Sequence, residues 1–312
     1  MAMEKKGQWA ILLVVCVVAS SAASFAGGYY VGETNSSGPD GGLVIVDDYG
    51  RTVSLESIPT RIVSAAPTPT EILFAVGAGD LVVGIDEYSD YPEGIGNLTR
   101  VGAYPLNLEV VIGLNPDLII SSDLVPADQL ENLEAQGIPY MILAARTLED
   151  VMGDIRLVGI VTGHIDEAEA LAGSLEARIE TITEKTLALD VEKPRVYLEY
   201  FPYWTYGPGS FGDNLIALAG GINIAENASS EYPLLTSEFV IAQDPEIIIF
   251  TIGYMTSTNA EEISSRSGWD GITAVSGDQI YSIDDNLVSR YGPRIVDGLE
   301  QLAELIHPEL FA

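Results

Sequence analysis

Residues 165–189 read IDEAEALAGSLEARIETITEKTLAL, and this stretch decides the fold that the sequence predicts. Its apolar and small residues recur at the i, i+3, i+4, i+7 spacing of one buried helical face: they are Ala168, Leu171, Ala172, Leu175, Ile179 and Ile182. At ~1.5 Å per residue the helix would be roughly 35 Å long, about the diameter of a small domain. Because similar sequence lies on both sides of it, we interpret it as a rigid strut between two halves. An ordinary amphipathic helix packed on one sheet is the alternative.

The bulk composition limits the classes of partner. The chain has 312 residues, more than a single core usually needs, which favours two lobes. With 46 acidic against 14 basic residues the net charge is -32, which argues against nucleic acid as a partner. Such an acidic surface stays soluble in salt and is typical of a halophilic or otherwise acid-rich proteome.

Cysteine and histidine give no indication of a metal site. The only cysteine, Cys16, lies in the N-terminal segment, so the body of the protein has no disulfide or thiolate site. His164 and His307 have no ligand partner at short spacing, so we expect no metal ion bound directly by the protein.

The N-terminal segment predicts export. Two lysines precede an apolar run over residues 9–31, so residues 1–32 are a signal peptide or a membrane anchor. Lipidation of the cysteine is disfavoured because the residues before it are not small. The polar residues 33–42 read as a linker. We therefore expect an extracytoplasmic protein at the cell surface, secreted or attached to the membrane through its N-terminal segment.

The rest of the chain alternates strands and helices, which predicts parallel sheets. After a β-hairpin near residues 43–53, the predicted strands are residues 61–64, 81–84, 118–120, 140–143, 196–199, 247–250 and 280–283. The predicted helices are residues 71–76, with Thr68 or Thr70 as the cap, 127–136, 213–218 and 294–306. The fold class is therefore α/β, with two Rossmann-like lobes at residues 43–147 and 194–312. A helical connector at residues 148–193 joins them.

One segment occurs in both halves. Tyr104-Pro105-Leu106 is followed by Glu109 and by a proline seven residues after that glutamate. Tyr232-Pro233-Leu234 is followed in the same way by Glu238, and the two glutamates are 129 residues apart. The repeat predicts two lobes related by a pseudo-twofold axis. Each glutamate opens a short helix, so it is either favoured there by the helix dipole or exposed to bind a partner with two basic pockets.

Aromatic residues follow the first strand of the second half. Tyr200, Tyr203, Trp204 and Tyr206 crowd one loop, and loops at the carboxyl ends of parallel strands bind ligands. Flat rings suit a large macrocycle or a catecholate chelate, although the loop could instead pack within its lobe. Arg290 precedes the last long helix and either neutralises an anionic ligand or forms a surface salt bridge.

Taken in order, several short motifs resemble the substrate-binding proteins of ABC importers for ferric siderophores and vitamin B12, the class III periplasmic binding proteins. The resemblance covers roughly residues 43–310. The motifs are Asp48-Tyr49-Gly50-Arg51-Thr52-Val53, Arg61-Ile62-Val63-Ser64, Thr70-Glu71-Ile72-Leu73, Asn107-Leu108-Glu109, Asn115-Pro116-Asp117-Leu118-Ile119, Leu218-Ala219-Gly220-Gly221 and Gly292-Pro293-Arg294.

The resemblance implies a function and a set of roles. Glu109 and Glu238 would dock onto arginines of a permease dimer that carries ATPase subunits. The side chains expected to line a cleft between the lobes are Tyr88, Tyr104, Tyr200, Trp204, Tyr232 and Arg290. The ligand would be a metal chelate, either a corrinoid or a ferric siderophore. Tyrosines stand where the bacterial cobalamin binder has tryptophan or phenylalanine, and Asn286 stands where an acid is expected.

The same residues leave two other functions open. A hydrolase could use the paired glutamates, but their matched positions put them far apart on one outer edge, and no nucleophile elbow is present. A sensory or adhesive surface domain could use the same fold without transport. We expect a monomeric binding protein without a catalytic step.

Overall fold

The computed structural model describes residues 42–187, 192–253 and 258–311. The predicted signal peptide or anchor at residues 1–32, and all but the last residue of the predicted linker, lie outside the described residues. Within the described ranges, no helix combines the length and the apolar character that a membrane crossing requires.

The first half of the body is a hairpin followed by a five-stranded parallel sheet. Its strands are β1 (Leu43–Val46), β2 (Thr52–Leu55), β3 (Ile62–Ser64), β4 (Val82–Ile85), β5 (Thr99–Arg100), β6 (Leu118–Ser122) and β7 (Tyr140–Leu143). Its helices are α1 (Pro67–Ala75), α2 (Leu108–Gly113) and α3 (Ala127–Ala135). The sheet order β5-β4-β3-β6-β7 reverses direction between β3 and β6, so loops after these two strands diverge and leave a crevice at their carboxyl ends.

The connector consists of two helices, α4 (Leu148–Thr162) and α5 (Ile165–Leu187). A capping box between Thr147 and Asp150 begins α4, and Gly163, with φ 76°, ends it. A Cβ on Gly159 would lie 2.3 Å from the Cβ of Ala168, so this glycine permits the two helices to pack closely. The long amphipathic helix predicted from residue 165 is confirmed, but it is the second arm of a helical hairpin and not a lone strut.

The second half contains a separate sheet and more helices. Its strands are β8 (Arg195–Phe201), β9 (Trp204–Thr205), β10 (Ile222–Asn223), β11 (Ile247–Ile252) and β12 (Ile280–Asp284). The helices are α6 (Phe211–Leu218), α7 (Ser237–Gln243), α8 (Ala260–Ser264), α9 (Thr273–Ser276), α10 (Asn286–Ser289), α11 (Ile295–Ile306) and α12 (Pro308–Phe311). The parallel order is β10-β8-β11-β12, and β9 adds an antiparallel edge to β8. This sheet reverses direction between β8 and β11.

The two lobes and the connector share one hydrophobic core. The same buried cluster contains residues of α1, α4, α5, α6 and α11, represented by Ile72, Ile155, Leu175, Leu215 and Leu299. Two smaller clusters bury the other face of each sheet. The two lobes therefore pack against each other through these helices, whereas the sequence predicted that a single rigid helix separates them.

The predicted start of the first helix is wrong. Helix α1 begins at Pro67, and its N-cap residue, Ala66, makes no side-chain cap. Thr70 lies inside the helix, where its hydroxyl donates to the Ala66 carbonyl at 3.0 Å. Proline is suited to the first helical position because its φ is already helical and its missing N–H has no partner there.

Two glycines in helices should respond in opposite ways to alanine. A Cβ on Gly298 of α11 would lie 2.0 Å from the Leu287 carbonyl oxygen, which is backbone and cannot rotate away. We expect Gly298→Ala to lower the free energy of unfolding by about 1–3 kcal/mol. Gly173 of α5 is exposed and has open space around it, so Gly173→Ala should raise that free energy by about 0.5–1 kcal/mol. Denaturant unfolding of both variants checks this pair, and a stabilised Gly298→Ala protein would contradict the packing described for α10 and α11.

Candidate functional site

A cleft opens where the carboxyl ends of the two sheets face each other. In the first lobe it is lined by residues 66–68 after β3 and by residues 122–124 at the end of β6. In the second lobe it is lined by the end of β8 and by Asp285 and Asn286 after β12. These are loops at or beside the two points where the strand order reverses, which is where open α/β sheets bind ligands.

The cleft contains two adjoining cavities of about 640 Å³ and about 510 Å³. Both volumes lie within the range of small-molecule pockets, about 300–1,000 Å³. Tyr232, Asp285, Ser289 and Tyr291 line both cavities and so form the boundary between them. A ligand larger than either cavity could occupy both by lying against this boundary.

The structure brings all six predicted ligand-binding residues to the cleft. Tyr88, Tyr104 and Arg290 line the larger cavity, Tyr200 and Trp204 line the smaller one, and Tyr232 lines both. Their contact with a ligand stays a prediction. Other side chains that line the cleft were not predicted, among them Asp123, Phe201, Phe211 and Tyr291.

The aromatic side chains form one wall in each lobe. Tyr88 and Tyr104 of the first lobe are stacked with ring centroids 6.1 Å apart and an interplanar angle of 25°. In the second lobe, Tyr200 meets Tyr232 edge to face with centroids 6.3 Å apart. The hydroxyl oxygens of Tyr232 and Tyr291 are 3.5 Å apart. Each wall thus offers ring faces together with phenol groups that can donate or accept hydrogen bonds.

A buried carboxylate fixes the turn that presents Trp204. Glu199 is buried at the end of β8, where it accepts from the Tyr197 hydroxyl at 2.7 Å and from the Tyr203 backbone N–H at 3.0 Å. Arg266 donates to both of its oxygens, at 2.6 and 2.7 Å. Tyr203 packs inward against the ring of Trp269, with centroids 6.0 Å apart. The crowded aromatic loop is therefore divided, because Trp204 lines the cleft while Tyr203 belongs to the core of its lobe.

A chain of buried hydroxyl groups fixes the loop that presents Tyr88. Thr70 Oγ1 lies 2.6 Å from Ser64 Oγ and 2.8 Å from Ser89 Oγ. Ser89 in turn donates to Asp86, whose other carboxylate oxygen accepts from the Tyr88 backbone N–H at 2.9 Å. Burial raises the pKa of Asp86, and these hydrogen bonds to its carboxylate act in the opposite direction.

Arg290 crosses from the second lobe to the first. Its guanidinium contacts Asp90 at 2.6 Å and Glu71 at 3.3 Å, and it donates to the Tyr88 carbonyl at 3.3 Å. Burial opposes ionisation of Asp90, but the hydrogen bond and charge of Arg290 outweigh it and lower the pKa of Asp90. Arg290 thus lines the cleft, and its charge is already paired: the pair with the exposed Asp90 is of the kind that the salt-bridge alternative expects, whereas the pair with Glu71 is buried.

Glu71 is the centre of this contact between the lobes. Its side chain is only 2% exposed, and Arg294 of the second lobe donates to it at 2.5 and 2.9 Å. The Arg294 guanidinium also lies 4.0 Å from the ring centroid of Tyr91 in the first lobe. A buried carboxylate is stabilised only when it is paired and hydrogen-bonded, so the two arginines fix the lobes relative to each other at this point.

The two glutamates of the repeat occupy equivalent positions. Each is the second residue of its helix, Glu109 in α2 and Glu238 in α7, and each is exposed. The helix caps are made by other residues, since Asn107 accepts from a backbone N–H at 3.3 Å and Thr236 does so at 3.2 Å. Within residues 42–187, 192–253 and 258–311, neither carboxylate takes part in a side-chain hydrogen bond or an ion pair. Capping therefore does not account for them, although the helix dipole favours both.

Comparisons with known proteins agree on one family and one fold. The family model described as "Periplasmic binding protein" matches residues 62–287. An uncharacterized ABC transporter substrate-binding lipoprotein of Bacillus subtilis is 32% identical over 278 residues, covering 86% of this chain and 87% of that protein. The cobalamin-binding protein of Halobacterium salinarum is 28% identical over 269 residues, covering 84% and 73%.

Solved structures are similar over most of the chain. The periplasmic vitamin B12 binding protein of Vibrio cholerae has a TM-score of 0.70 and 25% identity, covering 80% of this chain and 98% of that one. A periplasmic heme-binding protein of Roseiflexus has a TM-score of 0.72 and 30% identity, also covering 80% and 98%. Similar frameworks are thus found in proteins whose ligands differ.

Replacing Glu71 should destabilise the protein strongly. Glu71→Gln leaves the guanidinium groups of Arg290 and Arg294 without the carboxylate that links them to the first lobe. Breaking a buried pair in this way costs about 3–5 kcal/mol. The matched control is Glu169→Gln, which removes the exposed pair with Arg156 at 3.0 Å and should cost less than about 1 kcal/mol. Denaturant unfolding measures both, and equal small losses would contradict the role given to Glu71.

Proposed function

This chain belongs to the periplasmic binding protein family, and we propose that it captures a metal chelate between its two lobes and delivers it to an ABC importer. It acts outside the cytoplasm, where proteins of this family work. Its partners are a permease dimer with ATPase subunits and the chelate itself.

One observation carries the proposal: aromatic walls from both lobes enclose a cleft at the carboxyl ends of two parallel sheets. Rings at this position offer a large apolar area and phenol groups at the rim, which suits a flat macrocyclic or chelated ligand. The loops that carry the rings are held by buried polar networks, so the cleft is largely preformed and little ordering is needed on binding.

A corrinoid is the leading candidate for the ligand, and a ferric siderophore is the alternative. The relatives from Halobacterium salinarum and Vibrio cholerae are described as binding cobalamin and vitamin B12. The relative from Roseiflexus is described as binding heme, which makes heme a necessary comparison. Tyr88, Tyr104, Tyr200, Trp204 and Tyr232 would contact the chelate from both walls.

The exposed glutamates are proposed as the permease-docking groups. Glu109 and Glu238 lie one in each lobe, at equivalent positions of the repeat, and have no structural partner within the described ranges. A symmetric permease dimer presents the same surface twice, so one glutamate per lobe is the arrangement that two equivalent basic pockets require.

The function is tested by titrating the purified full-length protein with cyanocobalamin, ferrioxamine B and hemin. Calorimetry and quenching of tyrosine and tryptophan fluorescence are followed together. We expect saturable binding of one chelate per chain, with quenching because the rings of Tyr200 and Trp204 lie in the cleft. No heat and no quenching with any of the three would contradict the proposal.

Trp204→Ala should weaken binding of the chelate by about 1–3 kcal/mol. The variant lacks the indole ring, so the apolar area that the ring buries against the chelate and its stacking contact are both lost. The matched control is Tyr49→Ala, an aromatic substitution at an exposed turn that lines neither cavity. Calorimetric titration of the two variants checks this prediction. Unchanged affinity in the Trp204 variant would remove that ring from the binding site.

The double variant Glu109→Ala with Glu238→Ala should bind the chelate with near-normal affinity and abolish its uptake. Both side chains lie outside the cleft lining, so binding is unaffected while docking loses both charges. The control is Glu131→Ala with Glu261→Ala, which removes one exposed acid from each lobe elsewhere on the surface. Uptake is measured in cells or in vesicles with the reconstituted importer, and normal uptake by the first variant would remove the docking role.

A further inference from the structure

The charges in the cleft are unevenly balanced. The described residues that line the larger cavity include four carboxylates and two arginines, namely Glu87, Asp90, Asp123, Asp285, Arg146 and Arg290. The charge of Arg290 is taken by Asp90 and by the buried Glu71. Arg146 lies 3.5 Å from Glu231, a carboxylate outside the lining. Each arginine of the lining thus has a carboxylate partner, Arg290 in pairs with Glu71 and Asp90 and Arg146 in an exposed pair with Glu231.

Three lining carboxylates have no arginine or lysine partner among the ion pairs of the described chain: Glu87, Asp123 and Asp285. They come from both walls, since Glu87 and Asp123 belong to the first lobe and Asp285 to the second. Burial is the main cause that raises the pKa of Tyr104 and Tyr291, one in each wall, and the charge of Asp123 acts on both in the same direction, so Asp123 lies near enough to both walls to act on a ligand between them. Asp285 lines both cavities and therefore faces a ligand in either one.

The hydrogen-bonding groups of the lining have the same bias. An ionised carboxylate only accepts hydrogen bonds, while the phenol and serine hydroxyls can donate or accept. A ligand with amide N–H donors around its rim satisfies these acceptors, whereas a ligand with carboxylates or catecholate oxygens places charge against like charge. The overall charge of -32 acts in the same direction on an approaching ligand.

We infer that the cleft selects chelates of zero or positive net charge whose rim carries neutral amides, and that Asp123 and Asp285 set this selectivity. The inference rests on the proposed function and names the ligand class within it. Amide-rimmed corrinoids and cationic hydroxamate chelates fit this class. Heme, with two carboxylates, and triscatecholate iron complexes fall outside it.

The sharpest test compares two ligands of the same shape. Cyanocobalamin and its monocarboxylic acid derivative differ by one rim amide that has become a carboxylate. At pH 7.5 and 0.1 M salt we expect the acid to bind the full-length protein about tenfold or more weakly. The repulsion between two like unit charges 4 Å apart lowers the affinity roughly fivefold even in bulk water. The loss of affinity is larger where solvent is partly excluded.

Ionic strength distinguishes a difference in affinity that is caused by charge from one that is caused by shape. The Debye length is about 10 Å at 0.1 M and about 3 Å at 1 M ionic strength, and salt screens exposed charges more than buried ones. Because Asp123 is exposed to solvent, the discrimination that its charge causes should fall several-fold at 1 M salt. A discrimination that does not change with salt would mean that the rim is read by shape alone and would overturn the inference. This measurement needs no variant and so does not depend on the folding of one.

Variants show whether Asp123 and Asp285 cause the preference for cyanocobalamin over its acid derivative. Asp123→Asn with Asp285→Asn should reduce the preference for the amide over the acid to less than about threefold at 0.1 M salt. Glu131→Gln with Glu261→Gln removes the same amount of charge away from the cleft and should leave the preference intact. A preference that is unchanged in the first variant, or equally reduced in both, would remove the two aspartates from this role.

The outcomes also distinguish this inference from the proposed function. Binding of both corrinoids with equal affinity, or tighter binding of hemin than of cyanocobalamin, would overturn the charge selectivity and leave a chelate-binding protein. No binding of cyanocobalamin, ferrioxamine B or hemin would overturn the proposed function and this inference together.

Discussion

The arrangement of the lobes depends on one buried carboxylate. Glu71 belongs to the first lobe, is almost fully removed from solvent, and is paired with Arg290 and Arg294 of the second lobe. A buried charge is tolerated only with its partners in position, and separating the lobes there would break the ion pairs that Glu71 makes with both arginines. The shared hydrophobic core under α4, α5 and α11 adds a second constraint in the same direction. The relative position of the two aromatic walls in this structure follows from these contacts.

The site itself follows from the topology of the sheets. Each sheet reverses its strand order once, between β3 and β6 in the first lobe and between β8 and β11 in the second. Because the carboxyl ends of both sheets face the same space, the loops that diverge there form opposite walls of one cleft. The side chains that would contact a ligand lie on loops that buried carboxylates fix by hydrogen bonds. Glu199 fixes the turn that carries Trp204, and Asp86 fixes the loop that carries Tyr88. Packing and polar satisfaction thus prepare the surface that a chelate would contact.

Much of this could be predicted from patterns that are local or repeated. The 129-residue repeat predicted that α2 and α7 are equivalent, and the structure agrees to the residue, since Val111 and Val240 are both buried while Ile112 and Ile241 are 39% and 38% exposed. Helical periodicity predicted α5. What failed depends on contacts that no local pattern encodes. Glu71 and Arg294 are 223 residues apart in sequence, so their motifs were recognised without their pairing. In sequence Tyr203 cannot be distinguished from the other aromatic residues of its loop, and only its contact with Trp269 shows that it packs inward.

We place the ligand between the lobes, in contact with both of them. Hydrogen exchange of the backbone amides, measured with and without a saturating chelate, tests this placement most directly. We expect slower exchange in both walls at once, at the backbone amides of Ala66, Thr68 and residues 122–124 in the first lobe and of residues 200–204, apart from Pro202, and 285–291 in the second. Protection confined to one lobe, or appearing only on surfaces outside the cleft, would contradict it.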